Sequence, residues 1–191
     1  AAINTAAQAA IAKPMAQKLP PVCQPVSLPV AIGKDASVGA LAPRKPGNVR
    51  GWMSSPDFDS ATLDVAIAAM EDRKLGMGAT TDLLAISFSA TDYVGHTFGT
   101  DGAESCHQVM ALDGILERLF AALDKRKVSY AVVLSADHGG HDLPERNRQQ
   151  ALPAAERVDI AISAAMVGAK LGKQFGLAGP ALIGRAPFGD M

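Results

Sequence analysis

Two short segments each combine an aspartate with a histidine, and these four side chains are the residues best suited to chemistry. Asp92 and His96 are four residues apart, which places both on one side of a helical turn. Asp137 and His138 are adjacent, and the glycine pair at 139–140 permits the chain to turn there so that both can reach one ion. Carboxylate oxygen with imidazole nitrogen is a ligand set for zinc, manganese or iron. Two such half-sites side by side predict a two-metal centre of the kind that transfers phosphoryl groups.

An apolar run precedes each pair, and this arrangement indicates the fold. Residues 82–89 and 130–135 have the length and composition of buried strands, and an amphipathic stretch over 102–125 predicts a helix between them. Strand, helix and strand in this order form a βαβ unit with parallel strands. Because ligands bind at the carboxyl ends of such strands, we expect both Asp–His pairs at one crevice. The predicted fold class is α/β, a mostly parallel sheet flanked by helices, of which this chain provides a part.

Proline content divides the chain. Eight of the twelve prolines precede residue 57, so residues 1–56 are predicted to form an irregular surface segment after a short alanine-rich helix. Residues 57–191 are predicted to form the α/β metal-binding part of a truncated domain. The remaining predicted elements are a helix over 61–74, a polar loop over 139–153 and a helix over 154–175.

Each Asp–His pair could also have a purely structural role. An Asp-x-x-x-His pair is often a surface pair, and an aspartate at the end of a strand often caps the next helix. Both pairs at equivalent strand ends favour metal binding over these alternatives. His141 and Asp142 either orient ligands or form an exposed loop pair.

Charge and hydropathy exclude some classes of partner. The chain has 18 basic and 19 acidic residues and a formal net charge of -1, so no basic face for nucleic acid is expected. No apolar run approaches the roughly 18 to 20 residues of a membrane span. There is no signal-peptide pattern and the sequence begins with Ala1 rather than Met, so we expect a processed or excised chain.

The two cysteines, Cys23 and Cys106, are far apart in sequence. A disulfide would suit an oxidising compartment, whereas two buried free thiols fit the sequence equally well. Because sequence gives no geometry for a bond, pairing is the less favoured of the two states.

Residues 88–96 resemble the Ser-x-x-Asp-x-x-Gly-His signature of the alkaline phosphatase superfamily, and residues 135–139 resemble its second signature. The resemblance is strongest to the branch that holds the threonine-nucleophile alkaline phosphatases and the nucleotide pyrophosphatase/phosphodiesterases. The segments 99–104 and 143–146 fit the alkaline phosphatase side of that branch.

The resemblance implies a role for each of the four side chains. Asp92 and His96 would bind one zinc ion together with a distant later histidine. Asp137 and His138 would bind a second zinc together with an earlier aspartate and the nucleophilic threonine or serine. No segment of this chain matches the nucleophile, the earlier aspartate or the later histidine. We therefore expect no catalytic nucleophile here, a C-terminal fragment that is inactive alone, and a need for the missing N-terminal and C-terminal parts of the enzyme.

The function that the resemblance implies is hydrolysis of small-molecule phosphate monoesters by a periplasmic or secreted zinc enzyme. The alternatives are a phosphodiesterase or nucleotide pyrophosphatase of the same superfamily, a noncatalytic metal-binding fragment, and a manganese-dependent mutase.

Overall fold

The computed structural model describes residues 2–14, 17–179 and 181–182. The chain divides into two compact units, Ala1–Arg146 and Asn147–Met191. The described helices are α1 (Ala2–Ala12), α2 (Val49–Met53), α3 (Pro56–Asp72), α4 (Ala90–Phe98), α5 (Ala103–Arg126), α6 (Pro144–Gln149) and α7 (Ala164–Phe175). The described strands are β1 (Val30–Ala31) and β2 (Ser37–Val38), which pair antiparallel with Val30 opposite Val38.

The core of the first unit lies between α3 and α5, and α4 packs on α5. Leu63 of α3 meets Ile115 and Leu119 of α5, and Leu63 is fully buried. The helix predicted over 61–74 begins five residues earlier, at Pro56, because proline's fixed φ suits the first turn of a helix. The helix predicted over 102–125 is confirmed as α5, which ends at Lys127 in the left-handed conformation.

The two predicted buried strands are the main difference from the sequence prediction. Residues 82–89 and 130–135 contain no assigned strand, and β1–β2 is the only sheet among the described residues. Ile86 and Phe88 pack against the core, but Leu83 is 90% exposed and Val133 is 91% exposed. A strand is stabilised by hydrogen bonds to neighbouring strands and by cover on its faces. Among the described residues, only one face of segment 82–89 packs against other side chains, and segment 130–135 is almost entirely exposed. The prediction of buried, parallel-paired strands is therefore wrong for these residues.

The proline-rich opening is more ordered than predicted, and a disulfide attaches it to α5. Cys23 lies in a 3₁₀ helix, Pro21–Val26, and is bonded to Cys106 of α5. The expectation of free thiols is therefore wrong. Nearby, the Glu104 carboxylate accepts hydrogen bonds from the backbone N–H groups of Gly39 (2.9 Å) and Leu41 (3.2 Å). These contacts connect the β1–β2 ribbon to the start of α5.

The second unit contains α7 and a short 3₁₀ helix, Ile160–Ile162. The helix predicted over 154–175 begins only at Ala164, because the Ser163 side chain accepts a hydrogen bond from Met166 N–H and caps the helix there. Gly176 ends it in the left-handed conformation. None of the described helices is both long enough and apolar enough to cross a bilayer.

Candidate metal centre

Helix α4 presents Asp92 and His96 on the same face, as their spacing predicts. The Nε2 atom of His96 lies 3.3 Å from Asp92 Oδ1. A buried carboxylate of α3 anchors the start of α4, because Asp59 accepts a hydrogen bond from Ala90 N–H at 2.9 Å. Asp59 also accepts one from Gln108 Nε2 at 2.7 Å, so α3, α4 and α5 meet at this carboxylate. The helix that carries the first half-site is thereby fixed to the core.

The second pair lies beside the first. The Nε2 atom of His138 is 3.5 Å from Asp92 Oδ1 and 3.6 Å from Asp137 Oδ2. The structure thus brings Asp92, His96, Asp137 and His138 together, with the Asp92 carboxylate between the two imidazoles. The side chains are 42%, 61%, 87% and 58% exposed in that order, so the cluster opens to solvent.

A hydrogen bond sets the tautomer of His138. Its Nδ1 atom lies 2.7 Å from the carbonyl oxygen of Gly139, and a carbonyl oxygen can only accept. Nδ1 therefore carries the proton, and the lone pair of the neutral ring is on Nε2, the atom that faces the carboxylates. The Gly139 carbonyl raises the pKa of His138, and the charges of Asp137 and Asp92 raise it further. A metal cation at Nε2 would bind the lone pair of the neutral ring and would therefore compete with protonation of that atom.

The donor types fit zinc, but the described residues supply only part of a ligand set. Within residues 2–14, 17–179 and 181–182, no three His, Cys, Asp or Glu side chains are arranged to hold one ion. Each Asp–His pair offers one carboxylate and one imidazole, whereas protein zinc sites use about three or four ligands. The assignment of the four side chains as metal ligands stays a prediction.

Sequence reasoning missed the buried polar groups that support α4. Asp59 and Gln108 are fully buried. The signal was their position: Asp59 precedes Leu63 by one helical turn, and Gln108 precedes Ile115 by two, so each continues an apolar stripe. Burial is the largest influence on Asp59 and raises its pKa, against the effect of the hydrogen bonds from Ala90 and Gln108.

The fold matches that of a solved member of the alkaline phosphatase superfamily. The solved structure of wild-type alkaline phosphatase PafA superposes with a TM-score of 0.68 and 25% identity, covering 92% of this chain and 36% of that one. The shared architecture is that of a partial α/β fold, although the described residues contain only the β1–β2 sheet.

Sequence comparison places the chain more narrowly. Residues 21–176 match the family described as type I phosphodiesterase / nucleotide pyrophosphatase, and the chain belongs to that family. It is 46% identical to alkaline phosphatase PhoK of Sphingomonas sp over 176 residues, which cover 91% of this chain and 31% of the relative. It is 42% identical to alkaline phosphatase PhoD of Zymomonas mobilis over 175 residues, which cover 90% of this chain and 30% of the relative. The chain therefore spans about a third of the length of these relatives.

Proposed function

We propose that the protein is a zinc-dependent alkaline phosphatase that hydrolyses phosphate monoesters, and that this chain contributes one part of a two-metal site. The observation that carries the proposal is the position of Asp92, whose Oδ1 atom lies 3.3 Å from His96 Nε2 and 3.5 Å from His138 Nε2. The similarity to two alkaline phosphatases over nine-tenths of the chain supports the reaction type.

In this proposal Asp92 and His96 hold one zinc ion, and Asp137 and His138 hold the other. When bound, two zinc ions lower the pKa of oxygen nucleophiles and neutralise the charge of the phosphate. The chain's own residues fix the geometry. Asp59 anchors the first turn of α4, and the Gly139 carbonyl keeps the lone pair of the neutral His138 ring on Nε2.

The nucleophile of the proposed reaction is a threonine or serine outside this chain. The substrate class is a small-molecule phosphate ester. The net charge of -1 gives the chain no general attraction for anions, so phosphate recognition depends on local positive charge at the site.

The test is a comparison of kcat/KM for a phosphomonoester and a phosphodiester with the full-length protein after zinc loading. We expect the monoester to be preferred. Asp92→Asn should lower kcat/KM by at least about a hundredfold, because a neutral amide replaces the negatively charged carboxylate that would bind the metal. Asp64→Asn on the exposed face of α3 is the matched control and should leave the rate unchanged. Equal rates for wild type and Asp92→Asn would contradict the proposal.

Phosphodiesterase or nucleotide pyrophosphatase activity is the second candidate, and the description of the matching family favours it. The same comparison separates the two, since a strong preference for the diester would select this alternative. A zinc-binding protein that hydrolyses neither ester would select the noncatalytic alternative.

A periplasmic or secreted location is part of the proposal. The Cys23–Cys106 disulfide supports it, because disulfides persist in oxidising compartments and are rare in reducing ones. Cell fractionation with detection of the protein in the periplasmic or external fraction tests it, and recovery only from the cytosol would contradict it.

A further inference from the structure

The loops that follow the two half-sites meet at a buried ion pair. Asp142 lies four residues after His138, and Arg146 lies in α6. Arg146 Nη1 donates to Asp142 Oδ1 at 2.5 Å, and the two side chains are only 4% and 9% exposed. An ion pair this well buried has a fixed geometry, unlike the mobile pairs of a protein surface.

The same pair binds the segment that follows α4. Asp142 Oδ1 also accepts hydrogen bonds from the backbone N–H groups of Thr100 (2.9 Å) and Asp101 (3.2 Å). Arg146 Nη2 donates to the carbonyl of Phe98, the last residue of α4, at 3.3 Å. The pair therefore connects the end of the helix that carries Asp92 to the loop that follows His138.

Glycines allow this close approach. Gly99 has a φ of +85°, and a Cβ atom there would overlap Asp142 Oδ1. A Cβ atom on Gly102 would lie 2.7 Å from Arg146 Nη2. One on Gly140 would lie 2.9 Å from Thr100 Cγ2, so the two loops also touch beside the ion pair. A side chain at any of these positions would force the neighbouring side chains of the ion pair or of Thr100 to shift.

We propose that Asp142 and Arg146 are positioning residues, which hold the loop of Asp137 and His138 against the end of α4 and so set the distance between the two metal half-sites. This inference rests on the proposed function, because it assumes that the four side chains bind metal. The hydrogen bonds that define this role run to the backbone of Phe98, Thr100 and Asp101. Their effect on the ligands passes through the backbone, whereas the outer groups of many metal sites bond directly to the ligand side chains.

The experiment measures the zinc affinity of the full-length protein by competition with a chelator, for wild type, Asp142→Ala, Asp142→Asn and Asp64→Ala. We expect Asp142→Ala to weaken zinc binding about 10-fold to 100-fold, the usual effect of removing a group that orients ligands. Asp142→Asn keeps an oxygen for Thr100 and Asp101 N–H and should lose less. Asp64 pairs with Arg118 at the same 2.5 Å but is 47% exposed and joins α3 to α5, so Asp64→Ala should change affinity less than twofold. Saturating zinc should restore kcat in Asp142→Asn.

Far-UV circular dichroism, compared with wild type, shows whether each full-length variant is folded before zinc is added. If Asp142→Ala does not fold, Asp142→Asn decides: weaker zinc binding supports the positioning role, and wild-type affinity overturns it. An equal loss of affinity in Asp64→Ala would also overturn it, because the effect would then be one of general stability. The proposed function fails separately, when wild type and Asp92→Asn bind zinc alike.

Discussion

Removal of the Cys23–Cys106 disulfide should destabilise the first unit strongly. The bond joins residues 83 apart in sequence, and the loop-entropy relation gives a stabilisation of about 4.5 kcal/mol for a closed loop of this size. Measured values are commonly lower than this relation gives, so we expect Cys23→Ala/Cys106→Ala to lose about 2 to 4.5 kcal/mol of unfolding free energy. The double substitution leaves no lone thiol that could form other bonds.

Urea denaturation followed by tryptophan fluorescence measures the effect. Trp52 is the single tryptophan of the sequence, is 8% exposed and packs edge-on against Phe58 with ring centroids 5.2 Å apart. With a urea m value of about 2 kcal/mol per M, the midpoint should fall by about 1 to 2 M. Wild type that has been reduced and alkylated is the control, and it should unfold near the double variant.

Two results would refute this reasoning. Alkylation of Cys23 and Cys106 in the folded protein without reductant, seen as added mass, would show that the bond is absent. An oxidised wild type with the same urea midpoint as the double variant would show that the bond closes a loop already ordered in the unfolded chain.

Three further predictions concern the core beside the site. Asp59→Ala should cost about 2 to 4 kcal/mol of unfolding free energy, because it leaves the buried donors of Ala90 and Gln108 without an acceptor. Asp59→Asn keeps an oxygen that can accept and should cost less. Urea titration measures the unfolding free energy of both variants. Burial raises the pKa of Asp59 above its ordinary 3.8, so protonation of Asp59 stabilises the fold at low pH, and that stability is lost as pH rises through the folded pKa. Asp59→Asn should remove this part of the pH dependence of the unfolding free energy. An unchanged pH profile would contradict burial of Asp59 as its cause. Leu63→Ala should cost about 2 to 5 kcal/mol in the same titration and the exposed control Val65→Ala under about 0.5, and similar costs would contradict the assigned core.

Helices α3 and α5 and the spacing within the Asp–His pairs could be predicted from sequence because their signals are local, whereas α6 lies in the segment predicted as a polar loop over 139–153. The four-residue spacing of Asp92 and His96 places them on one face of any helix. The apolar repeat of Leu63 and Met70 predicts the buried face of α3, and both residues are buried. These patterns depend on neighbours within one or two turns.

The features that sequence did not reveal depend on partners far along the chain. An apolar run such as 130–135 shows that a segment suits a strand. Whether it forms one depends on backbone hydrogen bonds to a neighbouring strand, which comes from a different part of the chain. The Cys23–Cys106 bond joins residues that are close only after folding. Asp142 could equally orient ligands or form an exposed loop pair, until the structure placed its carboxylate on Thr100 N–H and against Arg146.

The most direct test of the central claim is anomalous diffraction at the zinc edge from crystals of the zinc-loaded full-length protein. We expect two peaks about 3.5 to 4 Å apart, one within about 2.2 Å of Asp92 and His96 and the other equally near Asp137 and His138. Zinc peaks that lie away from all four side chains, or a loaded crystal in which these side chains contact no metal, would contradict the assignment of the site.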